Sequence, residues 1–202
     1  MTFDIAFVGH YTKDTIVSPT GTRTVDGGAI NYGANVAARM GLKVAVVTRL
    51  ARDDWHVVEA LEALGVTAFA KATPRSTCLR LTYPTDNLDQ RTLELTSSAG
   101  PFTLEEIAPL EARVYAIGAS VRGEASTDVV RALAAKRGIL ALDVQGFLRV
   151  VRNGALVSDG WPGKEAVLRH VTVLKTDAVE AELITGASDL RAAATALAGY
   201  GP

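Results

Sequence analysis

The sequence predicts an α/β fold in three layers: a mostly parallel central sheet flanked by helices, with a small antiparallel lid sheet beside it. Three observations carry this prediction. Short apolar runs of strand length recur along the chain, helical patterns separate most of them, and two polar, threonine-rich stretches interrupt the alternation.

The apolar runs are Ile5–Val8, Val44–Val47, Val66–Phe69, Val114–Ile117, Ile139–Leu142 and Val171–Leu174. Strands that are apolar on both sides indicate a parallel sheet covered on both faces, with right-handed crossovers. The intervening stretches carry apolar residues at helical spacing. Ala34, Ala37, Ala38 and Gly41 form one small-residue face, Val57, Leu61 and Leu64 a second, and Val130, Leu133 and Ala134 a third. Thr103 with Glu106 reads as a capping box, and Gly138 and Gly186 read as helix stops. Ser188 reads as the cap of a last helix bearing Leu190, Ala194 and Leu197.

Residues 10–26 follow the first strand yet read as polar extended chain. Residues 76–96 read as a hairpin, Thr77–Tyr83 and Arg91–Leu95 flanking a turn at Pro84-Thr85-Asp86-Asn87. Such strands are too polar for the central sheet. They suit a lid over the carboxyl ends of the parallel strands, where open α/β sheets bind ligands. A lid excludes water from group-transfer chemistry, and its strands could pair across a two-fold axis to make a homodimer. After the last helix, Gly199-Tyr200-Gly201-Pro202 turns the chain where the alternation calls for another strand. Residues 1–202 therefore read as one domain, incomplete at its C-terminal side, of a chain expected to continue beyond Pro202.

With 48% apolar and 21% charged residues, the composition is that of a soluble cytoplasmic protein able to bury a core. A net charge of −1 without a basic block argues against nucleic acid. No apolar run is long enough to span a membrane. The lone Cys78 excludes an internal disulfide, and His10, His56 and His170 lack metal-ligand spacing.

The densest chemistry lies around Gly27-Gly28, which opens the small-residue helix ending at Gly41, with Asp14 thirteen residues upstream. Without a Cβ, a ligand can lie against the backbone there, and a helix start turns unpaired N–H groups and a positive dipole end toward it. An ionised carboxylate offers only acceptors, which suits the vicinal hydroxyls of a sugar or cyclitol. The bland alternative is a tight turn with a turn aspartate. Asp177 and Glu180 read either as a helix cap with its box partner or as a cap beside phosphates that orients water around Mg²⁺. Lys175 ends a strand and meets either a nucleotide phosphate or solvent. Asp143, also at a strand end, either lines a cleft or turns the chain, and Arg149 is available to anions.

Four segments, in order, carry a resemblance: Val8-Gly9 with Asp14; Gly27-Gly28 through Gly41; Arg49-Leu50-Ala51-Arg52-Asp53-Asp54; and Lys175-Thr176-Asp177-Ala178-Val179-Glu180 through Gly186. Together they resemble the ribokinase/PfkB carbohydrate kinase family. The resemblance implies a ribokinase-like fold and transfer of the ATP γ-phosphoryl group to a sugar or cyclitol hydroxyl. It implies acceptor binding by Asp14, Gly27, Gly28 and Tyr32. It implies nucleotide binding by Lys175, Asp177 and Glu180, with Glu180 reaching Mg²⁺ through water. Tyr32 stands where the family signature usually has asparagine. That substitution, with Asp143-Val144-Gln145-Gly146-Phe147-Leu148-Arg149, resembles an inositol-kinase-like subgroup. Asp177 likewise replaces an asparagine.

The family's second signature, a glycine-alanine-glycine-aspartate helix start that supplies the base and anion hole, is absent from these residues. The resemblance therefore implies a catalytic base beyond Pro202, an active longer parent and an inactive 1–202 chain. The alternative is a non-catalytic polyol-binding protein of the same fold. A nicotinamide-dependent enzyme is disfavoured, because Gly9-His10-Tyr11 replaces the G-x-G-x-x-G turn.

Overall fold

A computed structural model of the chain describes residues 2–87 and 90–202. Its central sheet is built from β1 (Phe3–Val8), β4 (Val44–Leu50), β5 (Thr67–Ala72), β8 (Ala112–Ile117), β9 (Ile139–Asp143) and β12 (Val173–Lys175). The spatial order is β12-β9-β8-β1-β4-β5, and every pairing is parallel.

Side chains alternate across a strand, and β4 shows both faces covered. Val44 and Val46 pack with Ile30, Ala34 and Ala37 of α1 (Ala29–Arg39) and with Val57 and Leu61 of α2 (His56–Ala63). Ala45 and Val47 belong instead to the larger core on the opposite face. That core is supplied by α4 (Thr127–Ala134), α6 (Lys164–Leu168), α7 (Ala178–Thr185) and α8 (Leu190–Ala198). Two single-turn helices, α3 (Leu104–Ile107) and α5 (Gln145–Leu148), complete the set. The fold class is the one the alternation predicts. Among the described residues no helix is long and apolar enough to cross a membrane.

The second sheet contains the two lid segments, β2 (Thr12–Ser18) with β3 (Gly21–Gly27) and β6 (Thr77–Thr82) with β7 (Thr92–Ser97). Positions 88 and 89 of the expected 76–96 hairpin lie outside the described residues. The sheet differs from the expected antiparallel lid in two ways. First, β2 and β6 pair in parallel, Thr12 opposite Thr77, because each leaves the carboxyl end of a central strand in the same direction. Second, a third ribbon joins it, β10 (Arg149–Arg152) and β11 (Ala155–Ser158), giving the order β10-β11-β7-β6-β2-β3. Its turn is Asn153-Gly154, with φ of 51° and 84°. An Asn-Gly pair is a strong hairpin signal in sequence. The lid's apolar face gathers Leu79, Leu81, Leu93, Leu95 and Leu156 over Val121.

Two helix boundaries are corrected. The cap of α8 is Asp189, whose carboxylate accepts from Ala192 N at 2.8 Å, not Ser188. Gly138 lies beyond the end of α4 and packs against the Ala112 and Arg113 carbonyls, so it is no cap. Gly186 does stop α7, in the left-handed region at φ 76°. After α8 the chain turns through Gly199 and runs to Pro202 with no further strand among the described residues. Gly201 packs closely on the Leu168 carbonyl at the end of α6, and Pro202 beside it is half-buried.

Candidate functional site

The lid is fastened to the core by buried polar contacts. Asp54 ends a tight turn after β4 and is buried. Its Oδ1 accepts from Lys13 Nζ at 2.7 Å, and its Oδ2 accepts from Ser76 Oγ at 2.5 Å. One carboxylate thereby holds the start of β2 and the residue preceding β6. Burial pushes this carboxyl up, but the bonds from Lys13 and Ser76 outweigh it and hold Asp54 below the usual range.

Alongside, the buried Tyr11 hydroxyl donates to Asp26 Oδ1 at 2.6 Å, and Tyr11 N donates to Thr48 Oγ1 at 2.9 Å. The fully buried His10 sets Nδ1 2.7 Å from Thr77 Oγ1 and 3.1 Å from Glu124 Oε1. Glu124 in turn accepts from Ser120 N at 2.6 Å.

Between lid and sheet lies a cleft of about 280 Å³. Thr12 and Asp14 from β2, Gly28 and Tyr32 at the start of α1, and Ser120 beyond β8 line it, as do Asp143, Gln145 and Arg149. The β2–β3 register places Thr12 opposite Gly27 and Asp14 opposite Val25. A Cβ on Gly27 would overlap Asp14 Oδ2 and Thr12 Oγ1. Gly28 adopts φ 96°, and a Cβ there would overlap the His10 carbonyl oxygen. Gly28 needs glycine for both room and conformation, whereas Gly27 leaves the space that the Asp14 and Thr12 side chains occupy.

Asp14 Oδ1 is buried and has no hydrogen-bond partner among the described residues. Burial pushes the Asp14 carboxyl up, against the Thr12 hydroxyl and the more distant Arg149, which both lower it. Gly28 supplies no side-chain cap to α1. The positive end of that helix therefore meets the cleft at Gly28 and Ala29.

The sequence-identified residues thus fall into two groups. Asp14, Gly27, Gly28 and Tyr32 come together; Tyr32 is 59% exposed and its hydroxyl lies 3.4 Å from the Asp26 carbonyl. Lys175, Asp177 and Glu180 stand apart. Lys175 Nζ pairs with Asp143 Oδ2 at 3.1 Å and borders an adjoining apolar recess with Phe7, Ile30 and Leu142. Asp177 and Glu180 form a reciprocal box at the start of α7: Asp177 Oδ1 accepts from Glu180 N at 2.8 Å, and Glu180 Oε2 from Asp177 N at 2.9 Å. Among the described residues no cluster of three or more His, Cys, Asp or Glu is placed to hold a metal.

Thr12, Ser120, Arg91 and the leucines Leu79, Leu81 and Leu93, which no sequence motif singles out, also line the cleft, as does Gln145 of the Asp143–Arg149 segment. The strand pattern does pair Leu79 with Leu81, since residues two apart on a strand share a face. Ser120 follows a central strand at its carboxyl end, where such sites form.

With this geometry in hand, comparison with known proteins decides the family. A solved pyrophosphate-dependent kinase in the ribokinase family, in complex with sulfate, is 33% identical to this chain with a TM-score of 0.91. The match covers 98% of this chain and 70% of that one. The chain belongs to the ribokinase family. A second pyrophosphate-dependent ribokinase-family structure, complexed with a pyrophosphate analog and myo-inositol, is 32% identical with a TM-score of 0.90, covering 98% and 69%. A cytidine kinase of Thermococcus kodakarensis is 26% identical over 98% of this chain and 70% of its own length. Arabidopsis thaliana ribokinase, at 16% identity and a TM-score of 0.71 over 99% and 71% of the two chains, shares the fold. No family model matches the chain.

Proposed function

We propose that this ribokinase-family protein transfers a phosphoryl group from a phosphoanhydride donor to a hydroxyl of a sugar or cyclitol, with a cyclitol such as myo-inositol favoured. The observation that carries the reading is the unpartnered, buried Asp14 Oδ1 in a cleft floored by Gly28. A buried acceptor without a donor is costly unless a ligand supplies one, and a polyol hydroxyl is the matching donor. Tyr32 in place of the signature asparagine, and the relative solved with myo-inositol, both point toward a cyclitol.

In the reaction an acceptor oxygen forms a bond to phosphorus, the donor P–O bond breaks, and the acceptor proton passes to a base. Catalysis of this kind rests on positioning and charge stabilisation. Asp14 and the Gly27-Gly28 corner orient the acceptor. Lys175, Asp177 and Glu180 are assigned to the donor side. Mg²⁺ would arrive with the donor phosphates and would supply charge neutralisation there; Glu180, at the start of α7, would be the residue of this chain to hold it through water.

Following the family resemblance, the base is assigned to a glycine-rich segment beyond Pro202, since the 202 residues contain none of that form. Residues 1–202 alone then bind the acceptor without turning it over. ATP is the donor that the family resemblance implies. The likeness to two pyrophosphate-dependent kinases favours pyrophosphate instead. Non-catalytic polyol binding is the competing reading.

A thermal-shift panel of myo-inositol, ribose and cytidine, each with ATP, pyrophosphate or neither, tests this. A ligand of the native state raises the melting temperature with its concentration. Stabilisation by myo-inositol, with a further shift from one donor, is the expected result. Polyol stabilisation without any donor effect favours the binding-only reading, and indifference to all three acceptors contradicts both. Turnover by residues 1–202 would refute the assignment of the base. Pairing through the lid would give a dimer mass by light scattering.

A further inference from the structure

We infer that Arg122 is a positioning residue: its guanidinium pins the root of the β10–β11 ribbon and so holds the α5 wall of the acceptor cleft in place. The inference rests on the polyol-binding reading of that cleft and adds to it a residue that does not line the cleft.

Arg122 lies two residues beyond Ser120, in the loop that leaves β8. Its Nε donates to the Phe147 carbonyl at 2.6 Å. Its Nη2 donates to the carbonyls of Gly160 at 2.7 Å and Asp159 at 3.0 Å, with a longer bond to Leu148 at 3.4 Å. The Arg122 backbone N–H donates to the Arg149 carbonyl at 2.9 Å. One residue thus joins the end of α5, the first residue of β10 and the segment that follows β11. The acceptors explain why an arginine stands there. Helix α5 is a single turn, too short to satisfy its own last carbonyls. A guanidinium is a planar fork of five donors, able to serve several carbonyls at once. The Asp159 carboxylate pairs instead with Arg152 at 2.5 Å, so Arg122 grips this segment through its backbone.

Beyond this root the ribbon is lightly held. Among the described residues β11 meets β7 at one residue pair, Ala155 opposite Glu94. Leu156 joins the lid's apolar cluster beside Val121, and Trp161 stacks on Phe147 with ring centroids 4.8 Å apart. The ribbon is no part of the central sheet, so it can loosen while the core stays folded. Yet its root borders the cleft. Gln145 at the start of α5 and Arg149 at the start of β10 both line it, as does Ser120 from the Arg122 loop. At Gly146 the helix lies directly against the Ala119 carbonyl, where a Cβ would overlap. The arginine that fastens α5 to this loop therefore sets the spacing of two cleft walls. Without its fork the carbonyls lose their donors and the ribbon shifts toward an open form. A polyol that needs the closed form then binds more weakly, in proportion to the fraction still closed.

The test combines amide hydrogen exchange with calorimetric titration by myo-inositol, on wild type, Arg122→Met and Arg122→Lys. In Arg122→Met, exchange over residues 145–160 should accelerate at least about tenfold, while β1 and β4 stay within about twofold of wild type. Affinity for myo-inositol should fall at least about tenfold, and saturating myo-inositol should restore protection to residues 145–160, because binding selects the closed ribbon. Arg122→Lys, a point charge with three donors, should fall between the two. Restored protection is the readout that a purely structural bond would not give. Acceleration spread evenly over the chain, or unchanged exchange at 145–160, overturns the pin. A loosened ribbon with myo-inositol affinity kept, or with no protection restored by myo-inositol, overturns the positioning role. If Arg122→Met does not fold, the same criteria apply to Arg122→Lys. Should wild type bind no myo-inositol, the polyol reading falls and exchange alone decides: local loosening supports the pin, and its absence overturns it.

Discussion

Asp54 Oδ1 accepts a hydrogen bond from Lys13 Nζ at 2.7 Å, and Lys13 is the strand neighbour of Asp14. Because the same carboxylate holds Ser76 at 2.5 Å, the two lid strands β2 and β6 share a single anchor on the core. The aspartate that ends the Arg49–Asp54 segment therefore shapes the cleft without lining it.

Substitution Asp54→Asn should destabilise the protein by about 1–3 kcal/mol at neutral pH, the range for bonds to a charged buried group. Its folded pKa is depressed, so the stabilisation is present above the unfolded carboxylate value of about 4 and is lost as pH falls through the folded value. Urea unfolding at neutral and acid pH should show the gap between wild type and variant closing on acidification. A gap that persists unchanged would contradict the assigned charge.

Asp14 has the opposite sign. Its folded pKa is raised, so ionisation at neutral pH works against the folded state, and that penalty fades as pH falls through the raised value. Asp14→Asn should therefore raise the melting temperature at pH 7 while weakening polyol binding at least about tenfold. Paired melting and titration measurements check it; a variant that is less stable and binds normally would reverse the assignment.

Gly27 and Gly28 should respond differently to alanine. Gly28→Ala meets both a φ of 96° and the His10 carbonyl, and should cost about 1–3 kcal/mol. Gly27→Ala meets only the side-chain oxygens of Asp14 and Thr12, which can turn aside. It should therefore lose less stability but displace Asp14 and impair polyol binding. Thermal melts with myo-inositol titration distinguish the two.

The central layers were legible because fully apolar strands and helix-spaced alanines leave few alternatives. Val44–Leu50 is buried nearly throughout, and Ala34 and Ala37 face it. The proximity of Asp14 to Gly27 was legible too: the two lie on the adjacent strands β2 and β3, and Gly28 follows directly at the start of α1. The lid's topology was not, because parallel pairing of β2 with β6 depends on where distant strands end, which local pattern does not encode. The β10–β11 ribbon was hidden behind its short strands, although Asn153-Gly154 marked its turn. For Asp177 and Glu180, the capping pattern and a role near phosphate share one sequence signature, and the geometry shows the cap. Ser120, after β8, and Gln145, which opens α5, meet in the cleft from separate parts of the chain, a juxtaposition that local pattern does not encode.

A crystal structure of the chain with myo-inositol tests the central claim most directly. The account predicts a ring hydroxyl about 2.6–3.0 Å from Asp14 Oδ1, with the ring resting against Gly28. A ring bound elsewhere, or Asp14 Oδ1 left without a ligand hydroxyl at saturating myo-inositol, would contradict it.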